Sequence, residues 1–178
     1  MDLRDIKEFL KDTFKYIAVT VIVLVIVIYV VSLQQVVGPS MNPTFESNDI
    51  VFVNKLGYRF SNPKRNDIVS FNYSGTKYLI KRVIGLPGEH IEFKDNILYI
   101  DGKGYTENYL PEGTITKDWK LEDIGYDVIP EGMYLMLGDN RGDSLDGRDK
   151  KVGLTLKNDI IGKIFMRVWP MNSIKLLK

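Results

Sequence analysis

Three short segments gather the residue types that acyl-transfer chemistry uses. The first is Gly38-Pro39-Ser40-Met41-Asn42-Pro43-Thr44. Pro39 and Pro43 push the residues before them, Gly38 and Asn42, out of the helical region, so Ser40 sits on an extended or turning backbone with its N–H free to face a reacting oxygen. A hydroxyl there is a nucleophile only when a base is within reach; taken alone the segment reads first as a turn. The second segment is Lys77-Tyr78-Leu79-Ile80-Lys81-Arg82-Val83-Ile84-Gly85-Leu86-Pro87-Gly88. Strand alternation groups Lys81 with Leu79 and Val83, and Arg82 with Ile80 and Ile84. A lysine framed by aliphatic groups ordinarily lays its stem on them and keeps its amine in water. As a base it has to be neutral, and burial is the force that lowers its pKa. A fall from about 10.4 to about 8 raises the neutral fraction at pH 7 from below ~0.1% to roughly 10%, at a cost of about 3 kcal/mol.

The third segment, 137–148, reads Leu-Gly-Asp-Asn-Arg-Gly-Asp-Ser-Leu-Asp-Gly-Arg. Its density of Gly, Asp and Asn marks a loop, either a solvated turn or one whose side chains hold a site together. The chain has no cysteine and one histidine. That excludes disulfides, a thiol nucleophile and thiolate or multi-histidine metal sites, and it leaves His90 as the only imidazole base. His90 falls in a turn, Pro87-Gly88-Glu89-His90, and reads as a surface residue.

Something has to hold these segments in place, and one element dominates. Residues 16–33 carry no charge. As a helix they cover roughly 27 Å, close to the hydrocarbon thickness of a bilayer. A cleaved secretory signal has a shorter core ending in small residues, and 32–37 (Ser-Leu-Gln-Gln-Val-Val) offers no such site. Residues 22–28 are apolar all round, unlike a helix with a wet face. Arg4, Lys7, Lys11 and Lys15 precede the run and the first basic residue after it is Lys55, so the positive-inside bias keeps the N-terminus in the cytoplasm. The expected organisation is a cytoplasmic segment 1–15, a transmembrane helix 16–33 and an extracytoplasmic catalytic domain 34–178. Ser40 then lies just past the membrane edge.

Residues 49–54, 67–73, 77–85, 89–93, 97–101, 132–138 and 159–169 are short runs rich in Val, Ile, Phe and Tyr, punctuated by Gly, Pro, Asn and Ser; they predict strands, with a hairpin turn at 94–96. The domain is expected to be mainly β, with a small inserted cap over about 105–130 where the pattern loosens. The net charge of +1, with no basic stripe, gives no reason to expect nucleic acid as a partner.

Taken together and in this order, the three segments resemble the bacterial type I signal peptidases, membrane-bound serine proteases with a Ser-Lys dyad. Ser-Met-x-Pro-Thr matches 40–44, Lys-Arg-x-x-Gly-x-Pro-Gly matches 81–88 and Gly-Asp-Asn-Arg-x-x-Ser-x-Asp-x-Arg matches 138–148. The resemblance implies a signal-peptidase-like β catalytic domain, with Ser40 as nucleophile and Lys81 as general base, acting through an acyl-enzyme. It implies that Ser144 hydrogen-bonds the lysine amine, that Asp146 and Arg148 buttress the site, and that Asp139 and Arg82 do so less directly. No cofactor and no metal are implied. The Ser40 N–H fits an oxyanion donor. Some members add a hydroxyl two residues earlier, where this chain has Gly38, and a serine where it has Gly147. Eukaryotic-type relatives carry His in place of Lys81, which points to the bacterial branch.

The substrates implied are secreted preproteins whose signal segment lies in the same lipid bilayer, bound extended beside the strand of Lys81 and the segment of Ser40. Val36, Met41, Phe45, Leu79 and Ile80 are candidate walls for small side chains before the cut, and each reads equally as core. A monomer is the expected state. A pilin-maturation or conjugation-type peptidase is the nearest rival. A non-catalytic preprotein-binding β-domain is a second, and is expected to lack Ser40 or Lys81.

Overall fold

The computed structural model describes residues 2–75 and 77–177. Helix α1 spans Leu3–Val30, so most of the basic segment before the apolar run is helical too. It is long and apolar enough to cross a membrane, and none of its apolar window is covered by the rest of the protein. The helix stops at Val30, short of the Leu33 expected from hydropathy, because Val31–Gln35 extends as β1 and pairs antiparallel with β2 (Ile50–Asn54). Lys55, just past β2, closes the helix end: its N–H donates to the Val30 carbonyl (2.8 Å) and its Nζ to the Ile28 carbonyl (3.1 Å). These are carbonyls that a helix terminus leaves without internal partners. An all-apolar run has no period by which its sequence could mark the switch from helix to strand.

The remaining elements are a helical turn α2 (Gly57–Phe60), β3 (Ile68–Asn72), β4 (Tyr78–Gly85), β5 (Ile91–Lys94), β6 (Ile97–Ile100), β7 (Lys103–Tyr105), β8 (Trp119–Lys120), β9 (Met133–Leu137), β10 (Thr155–Leu156), β11 (Ile160–Trp169) and β12 (Lys175–Leu176). The protein is mainly β, as its patterning indicates. The larger sheet has eight strands in the order β1-β2-β11-β3-β4-β9-β10, with β12 on β11; the smaller has the order β7-β6-β5-β8. The turn Asp95-Asn96 between β5 and β6 has positive φ at both residues, the conformation that lets two strands with right-handed twist meet. The smaller sheet takes in this hairpin as well as the residues after it, so the unit is wider than the 105–130 segment expected as a cap.

Alternation along the strands sorts the apolar residues into three buried groups. Val36, Met41, Phe45, Val51, Val53, Ile68, Ile80 and Ile164 form one, beneath the segment that carries Ser40. Val69, Phe71, Val83 and Met136 centre a second, against which Leu79 packs. Ile84, Ile91, Phe93, Leu121, Ile129 and Leu135 join the two sheets. β4 contributes to all three and is therefore fixed from every side, which suits the strand that carries Lys81.

Candidate active site

Ser40 occupies the second position of a turn closed by the Asn42 N–H on the Pro39 carbonyl (2.9 Å); the next turn closes from the Phe45 N–H to the Met41 carbonyl (2.9 Å). Gly38 enters it with φ +84°, a conformation side chains disfavour. Met41 and Phe45 are buried and pin the turn to the core. The Ser40 carbonyl accepts the Asn140 N–H (3.0 Å), and Asn140 Nδ2 donates to the Pro39 carbonyl (3.2 Å). The 137–148 loop is thereby laid directly on the serine turn.

Lys81, opposite Val69 of β3, is 2% exposed. Its Nζ lies 2.7 Å from Ser40 Oγ and 3.0 Å from the Ile80 carbonyl. Burial lowers its pKa from 10.5 to about 8; the carboxylates of Asp146 and Asp139 oppose that fall without cancelling it. The geometry can therefore pass the serine proton to a lysine that is partly neutral near neutral pH.

The other predicted residues are brought to the same place. Arg82 and Asp139 form a buried two-point pair (Nε to Oδ1 2.8 Å, Nη2 to Oδ2 2.6 Å), and Thr44 Oγ1 donates to Asp139 Oδ2 at 2.5 Å. Arg148 holds Asp146 in the same fashion (Nε to Oδ1 and Nη2 to Oδ2, both 2.9 Å), while the Gly138 N–H donates to Asp146 Oδ2 (3.0 Å). Burial pushes the Asp146 pKa up, but Arg148 and the Gly138 N–H outweigh it and keep the carboxyl ionised. Ser144 is adjacent, and its Oγ and Cβ are among the atoms that a side chain at Gly138 would strike, at 2.1 and 2.7 Å, together with the Ser40 carbonyl at 2.4 Å. The hydrogen bond expected from Ser144 to the lysine amine is not made: its Oγ is buried without a partner among the described residues. His90 is bonded to Glu122 (3.2 Å) in the smaller sheet's unit, and the group bonded to the Ser40 hydroxyl is Lys81.

A cleft of about 530 Å³ opens on the dyad, lined by Val36, Val37, Ser40, Met41, Leu79, Ile80, Lys81 and Leu145 among others. Of the five candidate wall residues, Val36, Met41, Leu79 and Ile80 line it, and Phe45 lines a different cavity with Thr44 and Arg82. The rim residues Val37 and Leu145 are exposed (81% and 41%), and an exposed valine carries no sequence signal of a wall. β4 pairs with β9 only from Arg82 onward, so Tyr78–Lys81 keeps one backbone edge open beside the cleft. Sequence reasoning also missed the anchor of Arg141, whose guanidinium is buried on Glu107 (2.7 and 2.6 Å) while its Nε donates to the Gly138 carbonyl (3.1 Å). The motif displayed the arginine, but nothing in the spacing pointed to a partner in the distant loop 105–118.

A serine hydroxyl on a buried lysine amine, at the mouth of a cleft beside an open strand edge, is the arrangement of a peptidase. A family model described as signal peptidase, peptidase S26, matches residues 7–169, and the chain belongs to this family of hydrolases. It is 40% identical over 154 residues to signal peptidase I of Bacillus caldolyticus, covering 82% of this chain and 84% of that one. With signal peptidase IB of Staphylococcus aureus it shares 34% over 181 residues, 95% of this chain and 94% of the other. A crystal structure of a signal peptidase I from Enterococcus faecalis V583 superposes with a TM-score of 0.51 at 35% identity, covering 58% of this chain and 97% of that chain.

Proposed function

We propose that the protein is a membrane-anchored endopeptidase that removes signal peptides from secreted preproteins, using Ser40 as nucleophile and Lys81 as general base. The observation that carries this reading is the 2.7 Å contact between Lys81 Nζ and Ser40 Oγ, made by a lysine whose pKa burial holds near 8. Neutral Lys81 accepts the hydroxyl proton as Ser40 Oγ attacks the scissile carbonyl, then returns it to the leaving amine. Water then attacks the acyl carbonyl and gives a proton to Lys81, which passes it to Ser40 Oγ as the ester bond breaks, freeing the serine. The Ser40 N–H has no acceptor among the described residues and is available to the tetrahedral oxyanion.

The open edge of Tyr78–Lys81 suits an extended substrate that adds its own backbone hydrogen bonds to the sheet. Val36, Met41, Leu79 and Ile80 then form the apolar walls for the side chains before the cut. Asp139 with Arg82, and Asp146 with Arg148, hold the loop on which this geometry depends. Helix α1 anchors the enzyme in the bilayer that also holds the signal segment, with its N-terminus cytoplasmic, so two-dimensional confinement raises the effective concentration of each for the other.

Cleavage of a purified preprotein in detergent by wild type, Ser40→Ala and Lys81→Ala tests this reading. Activity is expected in wild type alone, with loss of at least about a thousandfold in each variant and unchanged circular dichroism. A folded Lys81→Ala that cleaves at the wild-type rate contradicts it.

A further inference from the structure

Away from the dyad, a cavity of about 510 Å³ lies between α2 and the start of β11, lined by Lys55, Tyr58, Arg59, Lys157 and the apolar Ile160 and Ile161. No carboxylate lines it. Elsewhere in the domain Arg82, Arg141, Arg148, Arg167 and Lys163 are each paired with an acid. Among the described residues, Lys55, Arg59 and Lys157 form no ion pair. Lys55 Nζ is spent on the Ile28 carbonyl (3.1 Å) and Lys157 Nζ on Asn62 Oδ1 (2.6 Å), both neutral acceptors, and the Arg59 guanidinium donates to nothing described. Three positive charges around one concave, partly apolar surface call for an anion, and a planar guanidinium matches the oxygens of a phosphate.

Two further observations say which anion. Lys55 is bonded through its N–H and its amine to Val30 and Ile28, the last turn of α1, so the cavity opens where the apolar helix meets the domain. Phe60 follows Arg59 in the same helical turn and is 87% exposed, an aromatic ring packed on nothing beside a cluster of cations. Apolar and basic side chains side by side at such a level are the composition of a segment that lies in a membrane interface.

We infer that this cavity binds the phosphodiester headgroup of an anionic phospholipid, with Arg59 and Lys157 on the phosphate, Lys55 at the helix junction and Phe60 against the acyl chains. The inference rests on reading α1 as a membrane helix. Its consequence is orientational: a lipid clamped at the foot of the domain limits rotation about the short join between α1 and β1, and so restrains where Ser40 stands relative to the bilayer.

Full-length protein in neutral detergent is titrated with phosphatidylglycerol, with phosphatidylcholine of the same chains and with inorganic phosphate, and binding is read by native mass spectrometry. One phosphatidylglycerol is expected per chain, at least tenfold tighter than phosphatidylcholine and undisplaced by equimolar phosphate. Each of Arg59→Gln and Lys157→Gln should weaken it about fivefold, with cleavage of a short soluble peptide unchanged as the control for folding. Equal affinity for the two lipids, or an unaffected double variant, overturns the proposal; displacement by phosphate makes the cavity a free-anion site and overturns the lipid. Flotation with purely neutral vesicles separates the two readings: a chain that floats there but shows no headgroup preference keeps its anchor and loses this site, whereas one that does not float loses the anchor.

Discussion

Lys81 meets two demands that oppose each other. As the proposed base it has to be neutral near pH 7, and the burial that achieves this makes its charged form costly to the fold. Its pKa in the folded protein is about 8 against 10.5, so between those values the unfolded chain holds a proton that the native state lacks. Stability therefore rises with pH across that window, and below about pH 8 the penalty, about 3 kcal/mol, is present in full. Lys81→Met keeps the length of the side chain and removes the charge. It is expected to raise unfolding stability by about 1–3 kcal/mol at pH 7 in urea titrations and by progressively less from pH 8 to 10.5, while abolishing cleavage. A variant destabilised at pH 7 would mean that the bonds to Ser40 and Ile80 outweigh the desolvation.

At the scale of elements, the site is where three of them meet: the turn before β2, strand β4 and the loop after β9. Arg82 and Asp139 tie the last two together with side chains 8% and 0% exposed, and Thr44 links the first to the same carboxylate. Asp139→Asn preserves shape but leaves the guanidinium buried without a counter-charge. The expected cost is about 3–5 kcal/mol, read as a lowered urea midpoint at unchanged slope; a loss below about 1 kcal/mol would show the pair to be solvated. How much of this was legible in the sequence follows from the same physics. Strands β2, β3, β4, β9 and β11 announce themselves because each buries alternating or continuous Val, Ile, Leu and Phe. The two- and three-residue strands β7, β8, β10 and β12 carry too few residues for any period, and β1 hides inside the apolar run. Ser40, Lys81 and the loop from Gly138 to Arg148 were legible as motifs. What their spacing could not convey was the lack of a bond from Ser144 to the amine, the burial of Phe45 away from the cleft, or the anchoring of Arg141 on Glu107, since each depends on how distant segments pack.

For the whole molecule, α1 and the β domain are separable in their packing. Among the described residues, the apolar window of the helix is uncovered by the domain, and only its last turn is bonded to it, through Lys55. Deleting residues 2–27 keeps the Ile28 and Val30 carbonyls and should leave the domain's melting temperature within a few degrees. Hydrolysis of a short soluble peptide should persist, while kcat/KM on a preprotein embedded in vesicles falls at least tenfold through lost co-confinement; equal losses on both substrates would make the helix a structural part of the site. The proposed mechanism turns on the protonation of one amine. The most direct measurement is the titration of Lys81 Nζ by nitrogen-15 NMR in the intact protein, set beside the pH profile of kcat/KM. An amine titrating near 8, with cleavage rising through the same pH as the proton leaves, is the predicted result. An amine still charged up to pH 10 in an enzyme fully active at pH 7 would contradict it.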